Sequence, residues 1–214
     1  MTPQPADTLR AEIVEVGRRL YDRGLVTATE GNISVSFQGG LLVTAAGVSK
    51  GFLTPDMVLR TDADGRRIEG SLAVSSEIPM HVAIYRRRPD VRAVVHAHPP
   101  WATAFAVARV PLDQPILAES VLLLGPVPLV PYEPPSTPEL AAVVGEAFAR
   151  ANAVLLANHG AVAVGETLSR AHQRMETLEH LARVTLLARL LGQSSPLSPD
   201  DVERLVRLPG VPYR

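Results

Sequence analysis

The chain has no cysteine and a single lysine, Lys50, among its 21 basic residues. Without thiols there is no disulfide framework and no thiolate metal ligand. Schiff-base chemistry needs an active-site amine, so it is confined to one position, in the loop Val48-Ser49-Lys50-Gly51. Net charge is −1, which gives no signal for nucleic acid or for an anionic membrane surface. Hydrophobic residues make up 46 % of the chain, yet no apolar run approaches the length of a bilayer span. The first residues, Met1-Thr2-Pro3-Gln4-Pro5, lack the basic and apolar regions of a signal peptide. These absences lead us to expect a cytoplasmic protein with neither nucleic-acid nor membrane partners. At 214 residues the chain suffices for one domain with a substantial core, spanning 1–214.

Apolar periodicity outlines the elements. Leu9, Ile13, Val16 and Leu20 share one face of a first helix, with Asp7 or Thr8 as its cap and Gly24 as its stop. Ile33–Phe37 and Leu41–Thr44 read as a hairpin across Gln38-Gly39-Gly40, and Met57–Thr61 as a third strand before the Asp64-Gly65 turn. Ser75 and Ser76 suit the cap of a helix ending near Arg88, stopped by Pro89. A strand through Ala93–His98 follows, then a helix over about Pro100–Ala108. The proline-rich segment from Pro111 to Pro138 is too apolar for a solvated tether, and should cross the sheet edge or another subunit. Thr137 caps a helix to about Arg150. Ala153–Ala157 and Ala161–Val164 read as strands, Leu168–Leu191 as a long helix and Pro199–Leu208 as a short one. Helices around a mostly antiparallel sheet make a single layered α/β domain.

Chemistry concentrates at His96-Ala97-His98. Residues i and i+2 of a strand point to the same face, so both imidazoles can reach one metal ion. Two satisfied core histidines are the alternative for that pair taken alone. Ser75-Ser76-Glu77 upstream and Asn158-His159-Gly160 downstream each carry a further possible ligand.

These segments, in this order, resemble the class II aldolase/adducin family, whose members include zinc-dependent L-fuculose-phosphate aldolases and L-ribulose-phosphate 4-epimerases. Gly31-Asn32-Ile33-Ser34 is similar to the family's early phosphate-loop signature, and Thr44-Ala45-Ala46-Gly47 to its Thr-Pro-x-Gly loop. Gly165 through Ala182 is similar to the start of its C-terminal helix. The resemblance implies the layered α/β fold inferred above. It also implies a divalent metal held by His96, His98, His159 and Glu77: zinc, with manganese or cobalt as alternatives. Glu77 would bind the resting metal and then move protons, and a glutamate here matches the aldolases, since the epimerases carry aspartate. Asn32, Thr44, Gly47, Ser75 and Ser76 would hold a phosphate. The implied activity is cleavage of a ketose phosphate to dihydroxyacetone phosphate, or a close relative, and an aldehyde, through a metal-stabilised enediolate. The implied partners are a small phosphorylated sugar and three further copies of the chain, in a homotetramer.

Two departures stand out. Ala46 occupies a place where the aldolases usually offer a hydroxyl. Glu119 stands where they present a tyrosine to a neighbouring subunit's site; Tyr132 is nearby in sequence, and Tyr213 falls where they have another tyrosine. We expect Leu122, Leu123 and Leu124 to form an exposed apolar patch at the subunit boundary. His81, His172 and His180 are expected to be structural or solvated, and Arg86-Arg87-Arg88 to close a helix. Competing functions are another enediolate reaction on the same site (4-epimerisation, decarboxylation of a 3-oxo acid phosphate, or dehydration) and, from a different class, a non-catalytic adducin-like interaction domain.

Overall fold

Period-two alternation builds the centre of the molecule, a computed structural model that describes residues 4–208. Among the described residues, eight strands form one sheet: β1 (Asn32–Phe37), β2 (Gly40–Thr44), β3 (Val58–Thr61), β4 (Arg67–Glu69), β5 (Ala93–Ala97), β6 (Leu129–Val130), β7 (Ala153–Leu156) and β8 (Gly160–Gly165). Their order is β4-β3-β2-β1-β5-β8-β7-β6. Every pairing is antiparallel except the edge pair β6–β7.

Each face of the sheet carries its own layer. Ala93, Val95, Ala97, Ala161 and Ala163 turn to one side, against helices α1 (Ala6–Asp22), α3 (Pro100–Val107), α4 (Ala118–Leu123) and α6 (Leu168–Leu190). The alanines leave room for α6 to lie close over β8 and β5. Val94, Val154, Leu156, Val162 and Val164 turn to the other side, against α2 (Ile78–Arg87) and α5 (Pro138–Ala147). His96 shares the parity of Val94 and therefore faces the α2 side. A last helix, α7 (Pro199–Arg207), follows.

Several element boundaries differ from the expectation. The first helix starts at Ala6, with the extended Pro5 in the cap position and no side-chain cap; Asp7 lies in its first turn. Ser75 and Ser76 do not cap α2, because Glu77 itself holds the cap position. Thr137 does cap α5, accepting from the Leu140 amide, but that helix ends at Ala147. The proline-rich segment reaches the sheet edge, where it supplies β6, and it contains α4. Leu123 and Leu124 are buried in this single chain, and Leu122 is half-buried, so the expected exposed leucine patch is absent. Apolar residues of α4 pack toward α6, which is what removes it.

Candidate metal centre

Three strands bring the site together at one end of the sheet. His96 lies at the end of β5, paired with Asn32 of β1 on one side and Val162 of β8 on the other. His98 follows β5, its amide bonded to the Leu25 carbonyl. His159 sits in the short turn between β7 and β8, after Asn158 in the left-handed conformation at φ +54°, a region asparagine tolerates better than most residues. Two glycines permit the crowding. A Cβ on Gly31 would lie 2.6 Å from the His96 carbonyl, and one on Gly160 2.6 Å from the His98 ring.

The three imidazoles converge. Their ring centroids lie 4.9–5.0 Å apart, and one nitrogen from each falls within 4.8 Å of the others. Nε2 of His98 is 3.2 Å from Nε2 of His96. His96 donates from Nδ1 to the Ala161 carbonyl at 2.9 Å, which leaves Nε2 as the lone-pair nitrogen of the neutral ring. Glu77 closes the cluster: Oε2 is 3.2 Å from His96 Nε2, and Oε1 is 3.3 Å from His159 Nε2. Asn32 donates from Nδ2 to Glu77 Oε2 at 2.8 Å and to Ser75 Oγ at 3.3 Å.

The electrostatics follow from burial. Burial raises the Glu77 carboxyl, but the charges of His96 and His159 and the Asn32 hydrogen bond outweigh it and hold the group well below the usual carboxylate range. Burial, then His96, push His98 and His159 down to about 4. Burial also lowers His96, yet the adjacent Glu77 carboxylate prevails and raises it. The cluster thus offers mostly neutral imidazoles and an ionised carboxylate, the protonation states that metal binding requires. Oε1 of Glu77 is buried with no hydrogen-bond partner, as expected of an oxygen whose partner is a cation. Nitrogen and oxygen donors without sulfur suit zinc, and equally manganese or cobalt.

A cleft of about 290 Å³ opens over these residues. Asn32, Gly47, Ser75, Ser76, Glu77, His98 and His159 line it, so most of the residues expected from the sequence meet there. Thr44 does not: it is fully buried, and its hydroxyl accepts the Ile33 amide at 3.1 Å. Glu119 is exposed on α4 and is not among the lining residues of this cleft. Tyr213 lies outside the described residues, and Tyr132 is half-exposed and also off the cleft. Of the remaining histidines, His81 is buried with Nδ1 2.7 Å from Ser34 Oγ, His172 is buried beside Glu176, and His180 is exposed. Each arginine of Arg86-Arg87-Arg88 pairs with an acid, namely Asp64, Glu146 and Asp90.

Sequence reasoning did not place Thr29, Glu30, Lys50, Pro135 or Ser136 in the cleft. Glu30 has Oε2 3.5 Å from His98 Nδ1 and accepts from the Thr27 hydroxyl. Pro135 and Ser136 form part of the wall, and Ser136 donates to Ser76 Oγ at 2.7 Å. Lys50 lies beneath it, buried. The Pro-Pro-Ser-Thr-Pro run marked a loop before a helix, but nothing in it pointed to the site.

The layered α/β fold and a histidine cluster able to hold a metal ion can be set beside known proteins. The family profile described as Class II Aldolase and Adducin N-terminal domain matches residues 11–186. The chain belongs to the class II aldolase/adducin family. It is 37 % identical over 186 residues to a 3-oxo-tetronate 4-phosphate decarboxylase of Escherichia coli K12, covering 84 % of this chain and 87 % of that one. It is 33 % identical over 201 residues to a 5-deoxy-D-ribulose 1-phosphate aldolase of Bacillus thuringiensis, covering 92 % and 93 %. The crystal structure of an L-fuculose-1-phosphate aldolase from Thermus thermophilus superposes with a TM-score of 0.79 at 38 % identity, covering 89 % and 98 %. Relatives include both aldolases and decarboxylases, so the shared property is class II aldolase superfamily chemistry.

Proposed function

We propose that this protein is a metal-dependent lyase that breaks a carbon–carbon bond beside the carbonyl of a small sugar phosphate, by aldol cleavage to dihydroxyacetone phosphate, or a close relative, and an aldehyde. The observation that carries the reading is the convergence of His96, His98 and His159 with the ionised Glu77 at the floor of one cleft. These four side chains would hold a divalent cation, zinc first, which when bound would supply an electron sink for a carbanion next to a carbonyl. Glu77, with its oxygens beside His96 and His159, would hold and move the proton at that carbon. Asn32 steadies the carboxylate through Oε2. The Gly47 amide and the Ser75 and Ser76 hydroxyls, which face the same cleft, anchor the phosphate. The ε-amine of Lys50 is engaged by two carbonyls, which weighs against a Schiff base.

Decarboxylation of a 3-oxo acid phosphate is the second reading, supported by the relatives of that name and by Glu119 in the place of the aldolases' tyrosine. Both reactions develop the same carbanion, so the floor of the site serves either. In the aldolase reading the protein is a homotetramer in which Glu119, exposed and off its own cleft, faces a neighbour's site. The test is a panel of ketose 1-phosphates and 3-oxo acid 4-phosphates, assayed for aldehyde and for carbon dioxide with and without chelator. Chelator-sensitive aldehyde release supports the aldolase, and carbon dioxide release the decarboxylase. Turnover unaffected by metal removal refutes both.

A further inference from the structure

Lys50 is the chain's one lysine, and only 1 % of it is exposed. Burying an ammonium is costly unless its donors are satisfied. Here Nζ donates to the Thr29 carbonyl at 3.0 Å and to the Val48 carbonyl at 2.6 Å. Those carbonyls belong to different loops. Thr29 precedes Gly31-Asn32 at the start of β1, and Val48 follows Ala45-Ala46-Gly47 at the end of β2. Both loops wall the cleft. Behind them α1 sits tightly on the lysine backbone: a Cβ on Gly17 would lie 2.7 Å from the Lys50 carbonyl.

Charge completes the picture. Glu30 and Glu77 bring two carboxylates to the cleft, and among the described residues Lys50 is the only lysine or arginine that lines it. A phosphate monoester adds nearly two more negative charges. Burial brings the amine down to about 8, while the Glu77 charge opposes that shift, so the group remains a donor near neutral pH. A flexible surface lysine would not be spent on two loop carbonyls.

We infer that Lys50 is the positioning cation of a phosphate cradle: its ammonium ties the Thr29 loop to the Val48 turn and offsets the charge of a phosphate monoester bound between them. The inference rests on the phosphate reading above and adds to it the group that balances the ligand's charge. The role lies in affinity and leaves the carbon chemistry to Glu77 and the metal centre.

The test measures binding of inorganic phosphate to the zinc-loaded protein, with metal content and steady-state kinetics alongside. Lys50→Met should weaken phosphate binding by about tenfold or more, the usual scale for losing a charge-assisted donor. Metal per chain should stay unchanged, and KM should rise with kcat nearly constant. Because the methionine variant could fail to fold, a second route uses the absence of native cysteine. Lys50→Cys, alkylated unfolded and then refolded, can carry either an aminoethyl group or a neutral group of equal length. The aminoethyl form should restore phosphate affinity and the neutral form should not. Equal phosphate affinity in wild type and Lys50→Met, or in the two alkylated forms, overturns this inference alone. A wild-type protein indifferent to phosphate overturns the phosphate reading as well.

Discussion

Glu77 and Glu179 are both partly buried carboxylates at the beginnings of helices, and they do different things. Glu179, on α6, reaches across to the start of α3 and accepts the Trp101 and Ala102 amides at 3.0 and 2.9 Å. Pro99, in the cap position there, makes no side-chain bond, so Glu179 supplies the missing acceptors from another helix. Its carboxyl is raised, because burial outweighs those amides. Glu77 occupies the cap position of α2 yet makes no cap bond. Its oxygens turn to His96 and His159 instead, and its carboxyl is held low. Position at a helix start does not tell the two apart; the destination of the oxygens does.

The largest effect that can break this comparison is on turnover. Glu77→Gln should cost about 10²–10⁴-fold, the usual worth of a placed acid or base. Equal turnover with a lowered melting temperature would make Glu77 a second helix stabiliser. Glu179→Ala should do the reverse. Two amides at the start of α3 lose their charged acceptor, at about 1.5–3 kcal/mol, and the melting temperature should fall by about 2–4 °C per kcal/mol with turnover preserved. A collapse of turnover in the folded alanine variant would erase the distinction.

A smaller effect separates the clustered histidines from the buried His81. Burial pushes His81 down to about 3, well under its ordinary value of 6.5. The unfolded chain therefore takes up a proton that the folded one refuses. The resulting stability is complete above pH 6.5 and declines as pH falls toward 3, by up to about 1.4 kcal/mol per pH unit. Urea unfolding of the metal-free protein at pH 7 and pH 5 should show this decline. It should be shallower in His81→Asn, and identical slopes would remove His81 from the account. The smallest effect is expected if Glu119 meets a neighbouring subunit, as proposed: Glu119→Tyr should shift preference among aldehyde acceptors by about tenfold or less. Unchanged preference, or a stable active monomer in light scattering, defeats that assignment.

Much of this was legible in the sequence because the decisive relations are local. The i, i+2 spacing of His96 and His98 needs only a strand, and alternation along Ala93–Ala97 provides one. Asn158-His159-Gly160 reads as a corner from its residue types. The contact of Glu77 with His96 and the Asn32–Glu77 bond join residues far apart in sequence, and no spacing rule contains them; the family resemblance carried Glu77. Elements with no periodic signal were lost. Strand β4 is three exposed residues, and α4 is six residues within a proline-rich run. Thr44 was expected to touch phosphate because the family resemblance placed it at the head of the Thr-Pro-x-Gly loop. One step along a strand reversed its face, and its oxygen went to the Ile33 amide instead. Leu123 and Leu124 looked like an interface because the helix that buries them against α6 was not seen.

Elemental analysis after loading with zinc and gel filtration tests the metal centre most directly, in wild type, His96→Ala and His172→Ala. Wild type and His172→Ala should each carry one metal per chain, because His172 is buried beside Glu176, apart from the cluster. His96→Ala should carry almost none. Full metal content in His96→Ala, or loss in the two variants alike, would contradict a centre built on His96, His98, His159 and Glu77.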